Sequence, residues 1–255
     1  MKFQSSILFT AIGFSYALNA HATVLPEAST AIKITMAKKP TTKPMSIAYV
    51  PIHERYYVAD GGLAPMPGDM EAPVSKSEIH VYDAEGKYIH SAKPGYDNRS
   101  IYFNQDSKQL ETITYNISSN AGFSPNTGVF ALDVDEKGNL KDTSRDVFGF
   151  HSAFGDPSTI PTYDHEKKRY FAKQGRSNLV WVVELNKDEK IEEIKLDLKA
   201  ANVQFDDIAD YHIAYTGVKG EELAILDIDH KAVLVFDIKG QLVAKSALPS
   251  HLKLR

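Results

Sequence analysis

Val81-Tyr82-Asp83-Ala84-Glu85-Gly86-Lys87 carries a glycine three places after its aspartate, and β-branched and aromatic residues lead into it. An Asp side chain that bonds nearby amides, followed by a residue free to take positive φ, is the chemistry of a tight β-hairpin. Versions of this run return at Leu132-Asp133-Val134-Asp135-Glu136-Lys137-Gly138-Asn139, Val182-Val183-Glu184-Leu185-Asn186-Lys187-Asp188 and Val235-Phe236-Asp237-Ile238-Lys239-Gly240-Gln241. The matching Asp or Asn positions are 83, 135, 186 and 237, so the steps are 52, 51 and 51 residues. A repeat of roughly 50 residues made of short strands is the pattern of a propeller blade.

Working outward from each hairpin, every repeat divides into four short β-branched or aromatic runs separated by turn residues. The blades fall at about 46–93, 100–142, 159–198 and 212–248, inside a domain spanning 43–255. Their innermost strands read Ser46-Ile47-Ala48-Tyr49-Val50, Ser100-Ile101-Tyr102-Phe103, Thr159-Ile160-Pro161-Thr162-Tyr163 and His212-Ile213-Ala214-Tyr215. The third runs, such as Leu179-Val180-Trp181-Val182-Val183, are almost wholly apolar, as strands covered on both faces should be. Two details strain the pattern: Pro161 lacks a ladder donor, and Ile191, Ile194, Leu196 and Leu198 also fit an amphipathic helix. A β-sandwich shows many short strands too, but a fixed internal period is foreign to it. The expected class is all-β, a propeller of four-stranded blades. Four blades are visible, and the reading favours an incomplete larger ring.

Tyr57-Val58-Ala59-Asp60, followed by Ile79-His80-Val81-Tyr82-Asp83 and then Gly86-Lys87, resembles the repeats of NHL- and YVTN-type propellers. In those repeats a Tyr-Val-x-Asp/Asn strand leads to an apolar-Asp-x-x-Gly hairpin. Blade four keeps the second half as Val235-Phe236-Asp237-Ile238-Lys239-Gly240, and Glu189 replaces the turn glycine in blade three. The resemblance implies a fold and no particular activity.

The N-terminus reads differently. Lys2 precedes an apolar stretch from Ile7 to Leu18, and Ala20-His21-Ala22 then offers a small-x-small cleavage pattern. Residues 1–22 are therefore expected to be a signal peptide, with an exported chain, periplasmic or extracellular, beginning at Thr23. A membrane span needs roughly 20 apolar residues, and none is expected after cleavage. Residues 23–42 form a leading segment in which 31–36 alternates like a ring-closing strand. The chain has no cysteine, so no disulfide framework supports it. Its formal net charge is −4, and no basic stripe with interleaved aromatics occurs, which argues against nucleic acid as a partner.

Loops between second and third strands share one face of a propeller with the connections between blades. That face should hold the long segments 61–77, 117–127, 143–157 and 199–210. Asp60, Asn116 and His151 are candidate ligand-binding residues there, and His151 is also the candidate general base or metal ligand. Asp97, Asp156 and Asp207 each precede an innermost strand and are candidate ligands for a hard cation such as Ca²⁺, with Asn98 and Asn116 as neutral oxygen donors. Gluconolactonase-type propellers are similar in outline. The same acids equally suit turn formation, by bonding the local backbone. No Gly-x-Ser-x-Gly, His-Glu-x-x-His or phosphate-binding glycine loop is present. Two functions stay open: a scaffold binding a small molecule or a protein through its loop-rich face, and a cation-dependent lactonase or esterase.

Overall fold

The computed structural model describes residues 32–35, 44–60, 77–95, 98, 100–115, 126–184, 187 and 189–248. The expectations for the leader at 1–22, and for Asp97 and Asn116, lie outside these residues. Within them, sixteen strands build four antiparallel sheets of four strands each, taken in chain order, which is a four-bladed β-propeller.

Blade one comprises β1 (Pro44–Val50), β2 (Arg55–Asp60), β3 (Glu78–Asp83) and β4 (Tyr88–Ala92). Blade two comprises β5 (Ser100–Asn104), β6 (Gln109–Tyr115), β7 (Thr127–Val134) and β8 (Leu140–Phe150). Blade three is β9 (Thr162–Asp164), β10 (Arg169–Lys173), β11 (Leu179–Glu184) and β12 (Glu189–Lys195). Blade four is β13 (Ala214–Tyr215), β14 (Leu223–Asp227), β15 (Ala232–Phe236) and β16 (Leu242–Ala247).

The hairpin chemistry recurs bond for bond. Asp83 Oδ1 accepts from the amides of Glu85 and Lys87, at 3.2 and 2.8 Å. Asp135 Oδ1 accepts from Lys137 and Asn139, and Asp237 Oδ1 from Lys239 and Gln241, all at 2.8 or 2.9 Å. Gly86, Gly138 and Gly240 follow with φ of 81°, 80° and 81°, the left-handed conformation that glycine adopts without steric cost. A register shift next to each turn accommodates the extra residue.

The third strands are buried on both faces. Adjacent residues, whose side chains point to opposite faces, are buried together: Ile79 and His80, Val129 and Phe130, Val182 and Val183, and Leu234 and Val235. The blades meet through three apolar clusters. Tyr57, Ile79 and Val81 of blade one pack on Ile101, Leu110 and Leu132 of blade two. Ile113 and Val129 then meet Tyr170, Ala172 and Val183 of blade three, with Phe154 of the connection between them. Phe171, Val180 and Val182 meet Leu223, Ile225, Leu234 and Phe236 of blade four. Each large side chain so buried contributes about 1.5–3 kcal/mol. Among the described residues no such cluster joins blade four to blade one.

Hairpin tips also dock backwards. A Cβ on Gly138 would lie 2.8 Å from His53 Cβ on blade one, and a Cβ on Gly240 would lie 2.3 Å from the Lys195 carbonyl oxygen on blade three. Tyr57 Oη secures the first contact by donating to the Gly138 carbonyl at 2.7 Å. For blade one the neighbours of Gly86 are Ile32 and Ile34. Residues 32–35, from the segment expected to close the ring, thus cover the first hairpin without forming a strand.

Two local expectations change, and the outer strand expected after the third hairpin is found. Residues 143–150, read as loop, continue β8, because the outermost strand can carry polar residues on its solvent side. Blade three's inner strand begins only at Thr162. Pro161 therefore falls just outside it, where its missing donor costs no ladder bond. The helical option at 191–198 fails: β12 pairs with β11 from Lys195 to Glu189. Among the described residues no helix is long and apolar enough to cross a membrane.

Candidate functional site

The loop-rich rim places the sequence candidates apart from one another. Asp60 ends β2 and is fully buried, with Oδ2 3.4 Å from His80 Nε2. His80 Nδ1 lies 2.6 Å from Ser91 Oγ, its directly opposed partner on β4. Beside them Ser77 Oγ donates to the Asp60 carbonyl and accepts from both the backbone and side-chain amides of Asn98, each at 3.1 Å. Asn98 Oδ1 in turn accepts from Thr112 Oγ1 of blade two. The Ser77–Asn98–Thr112 chain ties blade one to blade two.

His151 caps the one-turn 3-10 helix Ser152–Phe154 by accepting the Ala153 amide at Nδ1, 3.1 Å away. Its ring sits 4.8 Å from that of Phe148. Asp156 Oδ1 accepts the Ser158 amide at 2.8 Å, and Asp207 Oδ2 accepts the Gln204 amide at 2.7 Å to close the helix Phe205–Asp207. Both acids thus use lone pairs on local backbone. Among the described residues no three His, Cys, Asp or Glu side chains gather as a metal site would require. The described donors do not fit a central Ca²⁺.

Lys173, which nothing in the sequence marked, ends β10 fully buried. Its ammonium donates to three carbonyl oxygens, of Gln174 at 2.6 Å, Ser177 at 2.7 Å and Asp210 at 3.3 Å. Burial pulls its pKa down from 10.5 to about 8, against the opposing charges of Asp210 and Asp156. Gln174 beside it accepts the Asp156 amide and donates to the Phe154 and Ala172 carbonyls. Together they lock the turn after β10 onto the connections that reach blades three and four.

The innermost strands of blades two, three and four enclose a different feature. They surround a cavity of about 380 Å³ that runs from Ser100, Ile160 and His212 at the loop-rich rim to Gln105, His165 and Gly217 at the opposite rim. Tyr102, Tyr163 and Tyr215 line it, one from each inner strand. Tyr102 Oη donates to Glu111 Oε2 at 2.5 Å and lies 2.9 Å from Tyr170 Oη. Asn104 and Ser107 donate to the other oxygen of Glu111. Tyr163 Oη lies 3.5 Å from Asp106 Oδ2, and its ring is 6.4 Å from that of Tyr102. Tyr215 stacks on Phe171 at 5.5 Å and meets His165 edge-on at 6.3 Å.

These phenols hold their protons tightly. Burial, then the neighbouring Tyr170 and Glu111, raises Tyr102 well above the ordinary phenol range. Burial, then Asp106 and Glu111, lifts Tyr163 to about 12, and burial, then Asp164, lifts Tyr215 to about 12. Glu111 itself is raised by burial, although three donors oppose the shift. The three phenols on the cavity wall are thus uncharged and have carboxylates behind them. Asp60 and His151 are not among its lining residues.

No protein-family model matches the chain, and no characterised protein matches it in sequence. Among solved structures it is similar to the periplasmic gluconolactonase PpgL of Pseudomonas aeruginosa, at 13% identity and a TM-score of 0.41, over 82% of this chain and 59% of that one. A Bacteroides thetaiotaomicron protein of unknown function gives 11% identity and a TM-score of 0.47, over 79% of this chain and 43% of that one. A putative 6-phosphogluconolactonase of Bacteroides uniformis gives 12% and 0.41, over 81% and 57%. The chain therefore spans less than two thirds of the length of each. Likeness of this degree assigns no activity.

Proposed function

We propose that the protein is a ligand-binding propeller whose small-molecule site is the axial cavity between blades two, three and four. One observation carries this reading: Tyr102, Tyr163 and Tyr215, from three separate blades, converge on a single cavity of about 380 Å³. Small-molecule sites typically occupy ~300–1,000 Å³ and combine apolar or aromatic walls with a few fixed polar groups, and this cavity fits that description. A cation-dependent hydrolase draws less support, since Asp156 and Asp207 already accept local amides. Export to the periplasm or beyond belongs to the same proposal, supported by the apolar run Ile7–Leu18 and the pattern Ala20-His21-Ala22. So does kinship of the blades with NHL- and YVTN-type repeats, supported by the Asp-x-x-Gly hairpins of blades one and four.

The test is differential scanning fluorimetry of residues 23–255 against neutral sugars, polyols, amines and sugar acids. The expected result is at least one compound that raises Tm for the parent chain and for Tyr88→Ala but not for Tyr163→Ala. Tyr88 is an exposed residue of the outermost strand of blade one, so it controls for non-specific effects. Shifts that survive Tyr163→Ala, or no shift from any class, would count against the axial site.

A further inference from the structure

We propose that the axial cavity selects a small organic cation of the alkylammonium class, held against the rings of Tyr102, Tyr163 and Tyr215 and attracted by the carboxylate of Asp106 beside Tyr163. This inference rests on the cavity being the ligand site and adds the charge of the ligand. Three observations carry it.

First, three inner-strand tyrosines line the cavity. Tyr102 and Tyr163 stand 6.4 Å apart, and Tyr215 closes the third side from blade four. Aromatic faces attract cations through their quadrupole, and the attraction grows when water is excluded. Second, no lysine or arginine is among the lining residues. The nearby Arg169 is already committed: its Nε lies 3.0 Å from Asp164 Oδ2 and its guanidinium lies over Phe171. Among the described lining residues an anionic ligand would find no lysine or arginine, only the imidazoles of His165 and His212.

Third, carboxylates back the rings. Asp106, exposed and next in sequence to the lining residue Gln105, has Oδ2 3.5 Å from Tyr163 Oη, and Glu111 stands behind Tyr102. Burial is the main cause of the raised phenol pKa values, and these acids add to it. Their field stabilises a positive guest and repels a negative one. A cavity of about 380 Å³ lies at the small end of ligand sites, which suits a compact ammonium rather than a large cofactor.

Three probes of one shape separate charge from fit: choline, its uncharged carbon isostere tert-butylethanol, and the anion tert-butylacetate. Binding is read by calorimetric titration into the parent chain, Asp106→Asn and Tyr163→Ala. Choline is expected to bind about tenfold tighter than tert-butylethanol, with no measurable binding of tert-butylacetate. Asp106→Asn should weaken choline several-fold and leave tert-butylethanol unchanged. Asp106 is exposed and its carboxylate is not part of the core, so this variant tests the idea even if Tyr163→Ala fails to fold. Equal binding of choline and tert-butylethanol, or tightest binding of the anion, overturns the cation proposal and leaves the cavity as a ligand site. If no probe binds, the cation proposal falls; if the broader panel is silent as well, the axial site falls with it.

Discussion

Replacing Lys173 by methionine keeps most of the side chain's length and removes its charge, which turns the carbonyl cage into a measurable quantity. In the folded protein the ammonium is enclosed by the Gln174, Ser177 and Asp210 carbonyls and releases its proton near pH 8. The unfolded chain keeps that proton up to the ordinary lysine value of 10.5. Between those limits the unfolded state binds more protons, so stability rises with pH, and the contribution is lost as pH falls through the folded value. A shift of this size corresponds in full to about 3 kcal/mol, of which about 2 kcal/mol should appear between about pH 7 and about pH 9.5. The assay is urea denaturation at a series of pH values for the parent and Lys173→Met, with the difference plotted against pH. Methionine leaves the three carbonyls without their donor, so the variant carries a constant penalty of about 1–3 kcal/mol for each carbonyl that water does not reach. That offset does not alter the slope. A difference that stays flat, or in which the parent loses stability as pH rises, would refute the buried-ammonium account.

Three further outcomes follow from the geometry. Asp237→Ala removes the acceptor of the Lys239 and Gln241 amides in a solvent-exposed turn and should cost about 1–2 kcal/mol, read from the urea midpoint. Gly138→Ala meets both positive φ and the His53 side chain, so it should cost about 2–4 kcal/mol, whereas Gly149→Ala, also at positive φ but in open space, should cost about 1 kcal/mol. Tyr163 and Tyr215 should ionise near 12 in an alkaline absorbance titration, later than free tyrosine. Because their folded values are raised, stability should be lost as pH climbs from the free-phenol value of 10 through 12.

The hairpins were legible because their chemistry is local: Asp83, Asp135 and Asp237 bond amides two and four residues away, and each glycine stands at a fixed offset. Strand order followed from their spacing. The acids were ambiguous for a related reason. Asp156 and Asp207 carry the same side chain whether it caps a turn or binds a cation, and only coordinates reveal where the lone pairs go. The axial site left a faint trace, since every inner strand quoted from the sequence contains a tyrosine. Tyr102, Tyr163 and Tyr215 are separated by whole blades, however, and Tyr49 of blade one packs at a tilt against Tyr56 instead. Lys173 gave no signal, because its partners are backbone carbonyls that any sequence supplies.

The backward docking of the hairpins has a consequence for how the chain assembles. Every sheet is complete within one stretch of roughly 50 residues, a local pairing pattern that keeps contact order low for an all-β protein. Each long-range apolar cluster then joins a blade only to its immediate neighbour in sequence. The tips at Gly138 and Gly240 bind surfaces of the blade before them. A blade emerging later therefore finds its docking surface already built by the earlier one. During N- to C-terminal synthesis, each finished sheet can serve as the template for the next.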